Sequence, residues 1–271
     1  MREVANVNGK LTLVEDAKIP ITDRGFLYGD SLYEVIIIEN GFPMFQKEHL
    51  ERMHKSAEKM RMKLTISDDE LIEKIRKTVE FYGEKPQRIY CRWVITRGNG
   101  PITLANQNQP NNIIIIIKEF PVNDDALTST ISVKVTDIQR NSADSMDPNI
   151  KSGNYLNNIL ALDEANSAGY NECLMSRDGY LCELSRANFW IFSNGTWSTP
   201  AKHVLSGITR AKIIEALSEA GIKAEIRDIK IEEIMEAEEV ALSSTTKNLY
   251  PINLINLRGK EYRFESRKNW I

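Results

Sequence analysis

The stretch NIKSGNYLNNILA, Asn149 to Ala161, is the part of the chain from which we interpret the rest. It carries Lys151 in a loop after Pro148, directly before a helical pattern that predicts a helix from about Asn154 to Ala168. A lysine in this place is held on one side by the chain and can point into a cleft. Taken alone, it would be interpreted as a solvated loop cation.

The composition bounds the class of protein. A chain of 271 residues is long enough for two domains, and we expect two. Its hydrophobic content of 42% and net charge of −3 are typical of a globular protein, without the charge runs that bind nucleic acid or an anionic membrane. The three histidines have no metal-ligand spacing, so no metal site is expected. Small-molecule chemistry is therefore the favoured class.

Cysteine usage and the apolar segments predict a cytoplasmic location. The three cysteines are scattered and include no CxxC pair, which favours a reducing compartment over a disulfide framework. The N-terminus has no signal-peptide pattern, and the longest apolar run, Ile113 to Ile117, is too short to span a bilayer. We therefore expect no membrane association.

The first 120 residues predict a smaller α+β domain. An Asn-Gly turn in Val7–Leu11 indicates a hairpin, and the capping box of Ser67 and Glu70 indicates the start of a helix. The segment Thr22–Ser31 is predicted as a loop without helix. The remaining elements are strands at Leu32–Ile38, Arg88–Thr96 and Asn112–Lys118 and helices at Lys47–Met62 and Ser67–Phe81.

Residues 121–130 are predicted as a linker, since Pro121–Asp125 is polar and lies between two patterned regions. A larger C-terminal domain, residues 131–271, would carry Lys151. Its predicted strands are Ile131–Asp137, Glu172–Ser176, Tyr180–Glu183, Asn188–Phe192, Ala224–Ile226, Glu239–Leu242 and Tyr250–Leu257. Its other predicted helices are Ser206–Ala220 and a short one around Ile231–Met235.

The Lys151 stretch resembles the segment with the cofactor-bonded lysine in class IV pyridoxal-phosphate enzymes. This family includes branched-chain aminotransferases, D-amino-acid aminotransferases and aminodeoxychorismate lyases. Four further segments resemble family motifs in the same order, so that the likeness extends from about residue 20 to 250: HLERMHKSA (49–57), LCELSRANFW (181–190), LSGITR (205–210) and LSSTTKN (242–248). The resemblance implies an α/β (α+β) class with two domains and pyridoxal 5'-phosphate between them.

Pyridoxal phosphate needs a lysine amine for its aldehyde, a carboxylate that keeps its pyridine nitrogen protonated, and donors for its phosphate. The resemblance assigns the first role, and catalysis, to Lys151 and the second to Glu183. Without the resemblance, Glu183 would be interpreted as a surface acid on an edge strand. Leu184 departs from the small residue that the family has after this glutamate.

The resemblance also predicts the phosphate-binding groups. Amides at a helix start bind phosphate through unsatisfied N–H groups and the helix dipole, although a glycine before a helix is usually only a cap. On local grounds, the predicted arginine would be a solvated helix residue. The further cofactor residues implied are Arg52, Gly207, Ile208, Thr209, Ser244 and Thr245, with Tyr155 on the cofactor's 3-oxygen, one residue closer to the lysine than in branched-chain enzymes.

The substrate-side residues give mixed signals. Tyr28, Tyr33, Tyr90 and Arg92 match the pocket of branched-chain aminotransferases, including their Tyr-x-Arg form. However, Glu34-Val35 has the Glu-Val form of the D-amino-acid enzymes instead of Glu-Gly. The arginine and histidine that trap the carboxylate in those enzymes are missing from residues 101–104, which read Pro-Ile-Thr-Leu.

The resemblance therefore implies an aminotransferase that moves an amino group between an amino acid and a 2-oxo acid, with branched-chain L-amino acids favoured. Three alternatives stay open: a lyase releasing pyruvate and 4-aminobenzoate from aminodeoxychorismate, a D-amino-acid aminotransferase with a non-standard carboxylate site, and a catalytically dead cofactor-binding protein. Family sites also borrow loops across a two-fold axis, which implies a homodimer. The borrowed loops would be Arg24–Ser31 and Arg97–Asn111.

Overall fold

The computed structural model describes residues 2–83, 86–105, 109–121 and 131–265. The chain divides into a first unit, Met1–Val122 with Ile150–Asn154, and a second unit, Asn123–Asn149 with Tyr155–Ile271. Most of the predicted linker, residues 122–130, lies outside the described residues, and the predicted boundaries at 120 and 131 stay a prediction. None of the helices in the described ranges is long and apolar enough to cross a bilayer.

The first unit contains an antiparallel sheet with the strand order β2-β1-β6-β5-β3-β4. The predicted hairpin is present, and its turn places Asn8 and Gly9 at positive φ, as a tight two-residue turn requires. The strands are β1 (Glu3–Val7), β2 (Lys10–Leu13), β3 (Ser31–Glu39), β4 (Phe42–Pro43), β5 (Arg88–Thr96) and β6 (Ile113–Glu119). The long isoleucine- and valine-rich strands lie at the centre of the sheet, as their composition predicts.

Two helices cover one face of this sheet: α2 (Gln46–Lys59) and α3 (Asp68–Tyr82). The predicted capping box is present, with the Ser67 side chain and Glu70 satisfying each other's backbone N–H groups. Leu50 and Met53 of α2 and Leu71 of α3 pack in one core with the sheet residues. The alternate residues of the strands therefore face away from this core.

The prediction of a loop without helix at Thr22–Ser31 was wrong. A short helix, α1, spans Arg24–Tyr28. The Asp23 side chain accepts a hydrogen bond from Phe26 N at 3.0 Å, and Gly29 ends the helix at a φ of 67°. An aspartate before a turn of helix and a glycine after it are the usual signals of helix ends. We interpreted both residues as turn formers, because the segment contains several residues of that kind.

The lysine-bearing segment Ile150–Asn154 belongs to the first unit, whereas we had assigned it to the C-terminal domain. Backbone hydrogen bonds explain the difference: Tyr33 N donates to Lys151 O at 3.0 Å, and Gly153 N donates to Ser31 O at 2.9 Å. These bonds extend the edge of β3, and a sequence pattern gives no sign of such pairing with a distant segment.

The second unit is built on a mixed sheet in which β12-β11-β10-β9-β8-β7-β15-β16 follow in order and β13 pairs with β10 and β14. Its strands are β7 (Ser132–Val135), β8 (Glu172–Arg177), β9 (Tyr180–Leu184), β10 (Asn188–Ser193), β11 (Thr196–Pro200), β12 (Ala224–Arg227), β13 (Glu239–Ser244), β14 (Asn248–Ile252), β15 (Leu254–Leu257) and β16 (Lys260–Arg263). Helix α4 spans Leu156–Ser167, helix α5 spans Ile208–Glu219, and a 3-10 turn spans Ile231–Glu236.

The strand predictions in this unit differ from the structure in three places. The predicted strand Tyr250–Leu257 is divided at Asn253, because β14 pairs with β13 whereas β15 pairs in parallel with β7. Strands β11 and β16 were not predicted. Both follow tight turns with residues at positive φ, Asn194-Gly195 and Arg258-Gly259, and are short and rich in polar residues, so their pairing rather than their composition defines them.

Candidate active site

Lys151 lies in the first unit beside the ring of Tyr33. Its Nζ donates to the Tyr33 hydroxyl at 3.3 Å and lies 4.4 Å from the ring centroid. The backbone of Lys151 is fixed on both sides, since its N–H donates to Ser56 Oγ at 3.2 Å and its carbonyl accepts from Tyr33 N. The backbone that carries the amine is thus anchored by hydrogen bonds to Ser56 and Tyr33, which helps to keep a nucleophile in a defined geometry.

Arg92 approaches the same tyrosine. Its Cζ lies 4.1 Å from the centroid of the Tyr33 ring, close enough for a cation–π contact. Tyr33 and Val35 on β3 are paired with Val94 and Arg92 on β5, so these four side chains share the face of the sheet opposite the helices. The structure therefore brings Tyr33, Arg92 and Lys151 together.

The other two predicted substrate residues lie further along the same unit. Tyr90 is two residues before Arg92 on the same face of β5, where Lys118 Nζ is 5.5 Å and the Phe120 ring 6.4 Å from its ring centroid. Tyr28 is the last residue of α1, with Arg24 Cζ at 5.1 Å from its ring. The described contacts do not join either residue to Lys151.

Arg52 on α2 is held by a buried carboxylate, Glu34. Its Nε donates to Glu34 Oε1 and its Nη2 to Glu34 Oε2, each at 2.7 Å, and His49 Nδ1 lies 2.8 Å from Oε2. Glu34 is fully buried. Our sequence analysis considered Glu34 only as a neighbour of Val35, and the spacing of His49 and Arg52 on one helix face was the signal that it missed.

The pKa of Glu34 follows from this arrangement. Burial acts to raise the pKa, but the charge of Arg52 and hydrogen bonds from Arg52 and His49 outweigh it and lower the pKa to about 2. The carboxylate is therefore ionised at neutral pH. A buried charge that is paired on two sides is a rigid support for the guanidinium that it holds.

Glu183, in the second unit, is also buried and held by two donors. Arg140 Nε donates to Oε1 and the backbone N–H of Leu205 donates to Oε2, both at 2.9 Å. Glu183 is paired with Asn188 at the point where β9 meets β10. Sequence analysis missed Arg140, because nothing in its local pattern distinguishes it from other arginines.

Leu184 does not displace this carboxylate. Successive residues of a strand point to opposite faces, and the Leu184 side chain packs in the core of the second unit with Leu174 and Phe189. Its backbone N–H donates to Ala187 O at 2.9 Å and fixes the turn after β9. The Leu184 side chain, which is larger than the residue in the family pattern, is therefore accommodated in the core.

The predicted phosphate-binding residues of the second unit lie at the start of α5 and the end of β13. Gly207 is the N-cap of α5, and a Cβ there would lie 2.0 Å from Asn188 Oδ1, so a larger residue would have to displace that side chain. Ile208 is buried and Thr209 half-buried in the first turn. The start of α5 thus has a close-packed backbone of the kind that presents amides to an anion.

The remaining cofactor candidates also lie at the ends of elements. Ser244 ends β13, where its Oγ accepts from Lys247 N at 3.2 Å, and Thr245 follows in the turn. Tyr155 is the N-cap of α4 and is half-buried. All three belong to the second unit.

Comparisons with known proteins decide the family. The family model for amino-transferase class IV matches residues 31–255, which is most of the chain. The chain belongs to the class IV aminotransferases. It is therefore a pyridoxal-phosphate-dependent enzyme that transfers amino groups between small amino and oxo acids. The predictions of enzyme class, cofactor and fold class are confirmed.

Individual relatives agree with this assignment. A putative branched-chain-amino-acid aminotransferase of Methanocaldococcus jannaschii is 31% identical over 251 residues, covering 91% of this chain and 85% of the relative. A D-alanine aminotransferase of Listeria monocytogenes is 31% identical over 266 residues, covering 92% and 86%. These two names differ in substrate, so they fix the class of reaction rather than the donor.

Solved structures are similar over the whole fold. The branched-chain amino acid aminotransferase of Escherichia coli has a TM-score of 0.87 at 26% identity and covers 94% of this chain and 87% of its own. The branched-chain aminotransferase of the archaeon Thermoproteus uzoniensis has a TM-score of 0.85 at 26% identity, covering 96% and 91%. The mixed α/β fold with two sheets is thus that of the class IV aminotransferases.

The residues present fit pyridoxal phosphate. The cofactor requires an amine, a carboxylate and a set of phosphate donors. The first unit offers the amine of Lys151, whose backbone is anchored to Ser56, and the guanidinium of Arg52, which is paired with Glu34. The second unit offers the buried carboxylate of Glu183, which accepts two hydrogen bonds, and the start of α5 at Gly207. Each functional class that the cofactor needs is therefore present.

Proposed function

We propose that this class IV aminotransferase uses Lys151 as its catalytic residue and prefers branched-chain L-amino acids as donors. The observation that carries the proposal is the Tyr33 ring, which has the Lys151 amine at 4.4 Å and the Arg92 guanidinium at 4.1 Å from its centroid. The amine can act at the Cα of an amino acid while the guanidinium binds its carboxylate. The arrangement of the two groups around one ring therefore suits an amino-acid substrate.

When bound, pyridoxal phosphate supplies an aldehyde that takes up the amino group and a ring that accepts electrons. Lys151 would be the amine that holds the cofactor, and as a free amine, with its Nζ oriented by the Tyr33 hydroxyl, it would move the proton from the substrate Cα. Glu183 would hold a proton on the pyridine nitrogen, and Arg140 and the Leu205 amide would keep its carboxylate in place. Tyr155 would hydrogen-bond the 3-oxygen.

The phosphate would be held by one full positive charge and several dipoles. Arg52 would supply the charge, oriented by Glu34. The neutral donors would be the amides of residues 207–209 and the hydroxyls of Ser244 and Thr245. This combination of one cation with several neutral donors suits a dianion. Oriented N–H groups stabilise the negative charge without placing further cations close to one another, where they would repel.

The preference for an aliphatic donor rests on the face around Tyr33. Val35 and Val94 flank Tyr33 and Arg92 on this face, so the guanidinium has apolar neighbours. Arg92 would bind a carboxylate and the valines an aliphatic side chain. Tyr28 and Tyr90 would complete the substrate pocket.

A panel of donors tests this proposal. Single-turnover conversion of the cofactor, followed by absorbance, would be measured with L-leucine, L-glutamate, D-alanine and aminodeoxychorismate. We expect L-leucine and L-glutamate to react at least about tenfold faster than D-alanine, and no 4-aminobenzoate to form. A faster reaction with D-alanine would instead favour the D-amino-acid enzyme, for which Val35 is the specific indication.

We also propose a homodimer, in which residues 24–31 and the described part of residues 97–111 contact the partner; residues 106–108 lie outside the described residues. Exposed apolar side chains occur near these segments in the first unit, with Ile21, Phe26, Ile102 and Leu104 each more than half exposed. In the second unit, Leu156, Ile159 and Leu160 form an exposed apolar stripe on α4. Light scattering of the parent and of a Phe26→Asp, Ile102→Asp variant would test the dimer, which we expect the two aspartates to weaken.

The cytoplasmic location is likewise a proposal. The three cysteines are free and buried, as in proteins of a reducing compartment. Cell fractionation with an antibody would test it, and recovery with the secreted fraction would contradict it.

A further inference from the structure

Asn157, in the first turn of α4, binds three consecutive residues of an earlier segment of the second unit. Its Oδ1 accepts from Arg140 Nη1 at 3.3 Å and from the backbone N–H of Asn141 at 3.2 Å, and its Nδ2 donates to Gln139 O at 2.8 Å. Asparagine side chains near a helix start usually bond to the neighbouring backbone. Here the three bonds reach residues 16 to 18 positions away, so the side chain joins α4 to residues 139–141.

The side chain of Arg140 depends on this contact. Its main chain is fixed to β8, since Arg140 N donates to Ser176 O at 3.1 Å and Arg140 O accepts from Arg177 Nη1 at 2.9 Å. Among the residues that the structure describes, its guanidinium makes two hydrogen bonds, one from Nε to Glu183 Oε1 and one from Nη1 to Asn157 Oδ1. Without Asn157, the guanidinium would be held by the Glu183 carboxylate alone.

The acceptor that Asn157 offers is uncharged. A carboxylate in its place would compete with Glu183 for the guanidinium and neutralise part of its charge. An amide oxygen orients the guanidinium without doing so, because it carries only a partial negative charge. Arg140 and Glu183 are both buried, where a charge is screened less than at the surface. The full positive charge of Arg140 is therefore directed at Glu183.

We propose that Asn157 is a positioning residue for the carboxylate that faces the cofactor ring, because it keeps the Arg140 guanidinium on Glu183. This inference rests on the proposed role of Glu183. Tyr155, the N-cap of the same helix, is the residue proposed for the 3-oxygen of the cofactor. The bonds of Asn157 to residues 139–141 therefore also join the turn that carries Tyr155 to the segment that carries Arg140.

The Nε–H signal of Arg140 in the arginine-labelled, cofactor-loaded enzyme tests the positioning directly. The variant Arg140→Met identifies this signal by its loss. In Asn157→Ala we expect the Arg140 Nε–H to exchange with solvent about tenfold faster, as loss of a hydrogen bond to a charged group predicts. Asn166→Ala, which alters an exposed asparagine of the same helix, is the matched control and should exchange as the parent does. Asn157→Ser replaces Asn157→Ala if the latter does not fold, and an unchanged signal in the folded variant would overturn the proposal.

The pH profile of the bound cofactor shows whether Asn157 acts through Arg140. We expect Asn157→Ala to raise the pH at which the absorbance spectrum changes by about half a unit, because less positive charge then acts on Glu183 and the protonated cofactor is favoured. In an Arg140→Met background, Asn157→Ala should cause no further shift. An equal shift in that background would overturn the proposal, since Asn157 would then act independently of Arg140. If Arg140→Met itself left the profile unchanged, the proposed role of Glu183 would fail, whereas the exchange of the Arg140 signal would still decide whether Asn157 holds Arg140.

Discussion

Glu34 and Arg52 form a bidentate ion pair in the first unit, with Nε–Oε1 and Nη2–Oε2 distances of 2.7 Å. The pair joins the centre of the sheet to α2. It gives the predicted phosphate-binding arginine a fixed orientation, because the fork of the guanidinium matches the two carboxylate oxygens. The cation that we propose for the cofactor phosphate is thus supported by a residue that need not touch the cofactor.

Glu34→Gln should both destabilise the fold and weaken cofactor binding. It leaves the Arg52 guanidinium without its counter-charge, and breaking a buried pair by removing one partner costs about 3–5 kcal/mol. Urea unfolding and equilibrium dialysis of pyridoxal phosphate would measure the two effects. Glu73→Gln, which removes an exposed ion-pair carboxylate from α3, is the matched control and should change stability by less than about 1 kcal/mol. If Glu34→Gln and Glu73→Gln were equally stable, the Glu34–Arg52 pair would contribute no more to stability than an exposed ion pair.

Arg52→Lys should weaken cofactor binding while retaining the charge. Lysine cannot make the two parallel hydrogen bonds to Glu34, so the cation loses its orientation. We expect a loss of affinity of about tenfold in Arg52→Lys and a larger loss in Arg52→Ala, measured by dialysis. Retention of cofactor by Arg52→Ala as firm as in the parent would assign Arg52 a structural role alone.

The contribution of Glu34 to stability should depend on acid pH. Its pKa is lowered from 4.5 to about 2 in the folded state, so its stabilising effect is complete above about pH 4.5 and is lost as the pH falls through 2. The difference in unfolding free energy between the parent and Glu34→Gln should therefore be larger at about pH 6 than at about pH 3. Both proteins contain the same other carboxylates, so the contributions of these groups to the free energy of unfolding cancel in the difference. A difference that grows towards low pH would contradict the lowered pKa.

Borohydride reduction should fix the cofactor to Lys151. Peptide mapping of the reduced protein would find the modified lysine, and Lys151→Ala should lose the label and transamination together. Lys47→Ala, which alters an exposed lysine on α2, should keep both. A label on another lysine in the parent would remove Lys151 from its proposed role.

Glu183→Gln should keep the cofactor but slow the half-reaction by about a hundredfold or more, because loss of about 3 kcal/mol in the transition state has that effect. Single-turnover rates with L-leucine would measure it. Glu172→Gln, one strand away on β8, is the control. A rate within about threefold of the parent would mean that another group protonates the ring.

Arg140→Met tests the positioning role of Arg140 separately. It removes the guanidinium that holds Glu183 Oε1 and leaves the carboxylate with the Leu205 amide. We expect the pH at which the absorbance spectrum of the bound cofactor changes to move, because the carboxylate loses a neighbouring cation. A spectrum with an unchanged pH profile would leave Arg140 a purely structural role.

The cysteines should be unreactive in the folded protein. Burial raises the pKa of Cys91 to about 12, and burial with the neighbouring Glu183 raises that of Cys182 to about 12. Burial and Glu172 also raise the pKa of Cys173. A disulfide reagent at about pH 8 should therefore titrate three thiols only after unfolding, since the thiolate is the reactive form. Rapid reaction of the native protein would show an open conformation.

The sequence by itself determined the family and most of the elements. Helix α3 was predicted from its capping box, the first hairpin from Asn8-Gly9, and the central strands from their β-branched runs, because these signals are local. The class of chemistry followed from the motif around Lys151, since a cofactor with fixed demands restricts the residue types around it.

The tertiary structure decided what depends on distant segments. The pairing of residues 150–154 with β3, the division of the last predicted strand at Asn253, and the contacts of Arg140 with Glu183 and of Glu34 with Arg52 join residues that are 18 to more than 100 positions apart. Local propensity carries no information on such pairs, because their stability comes from burial and charge pairing that exist only after the chain has folded.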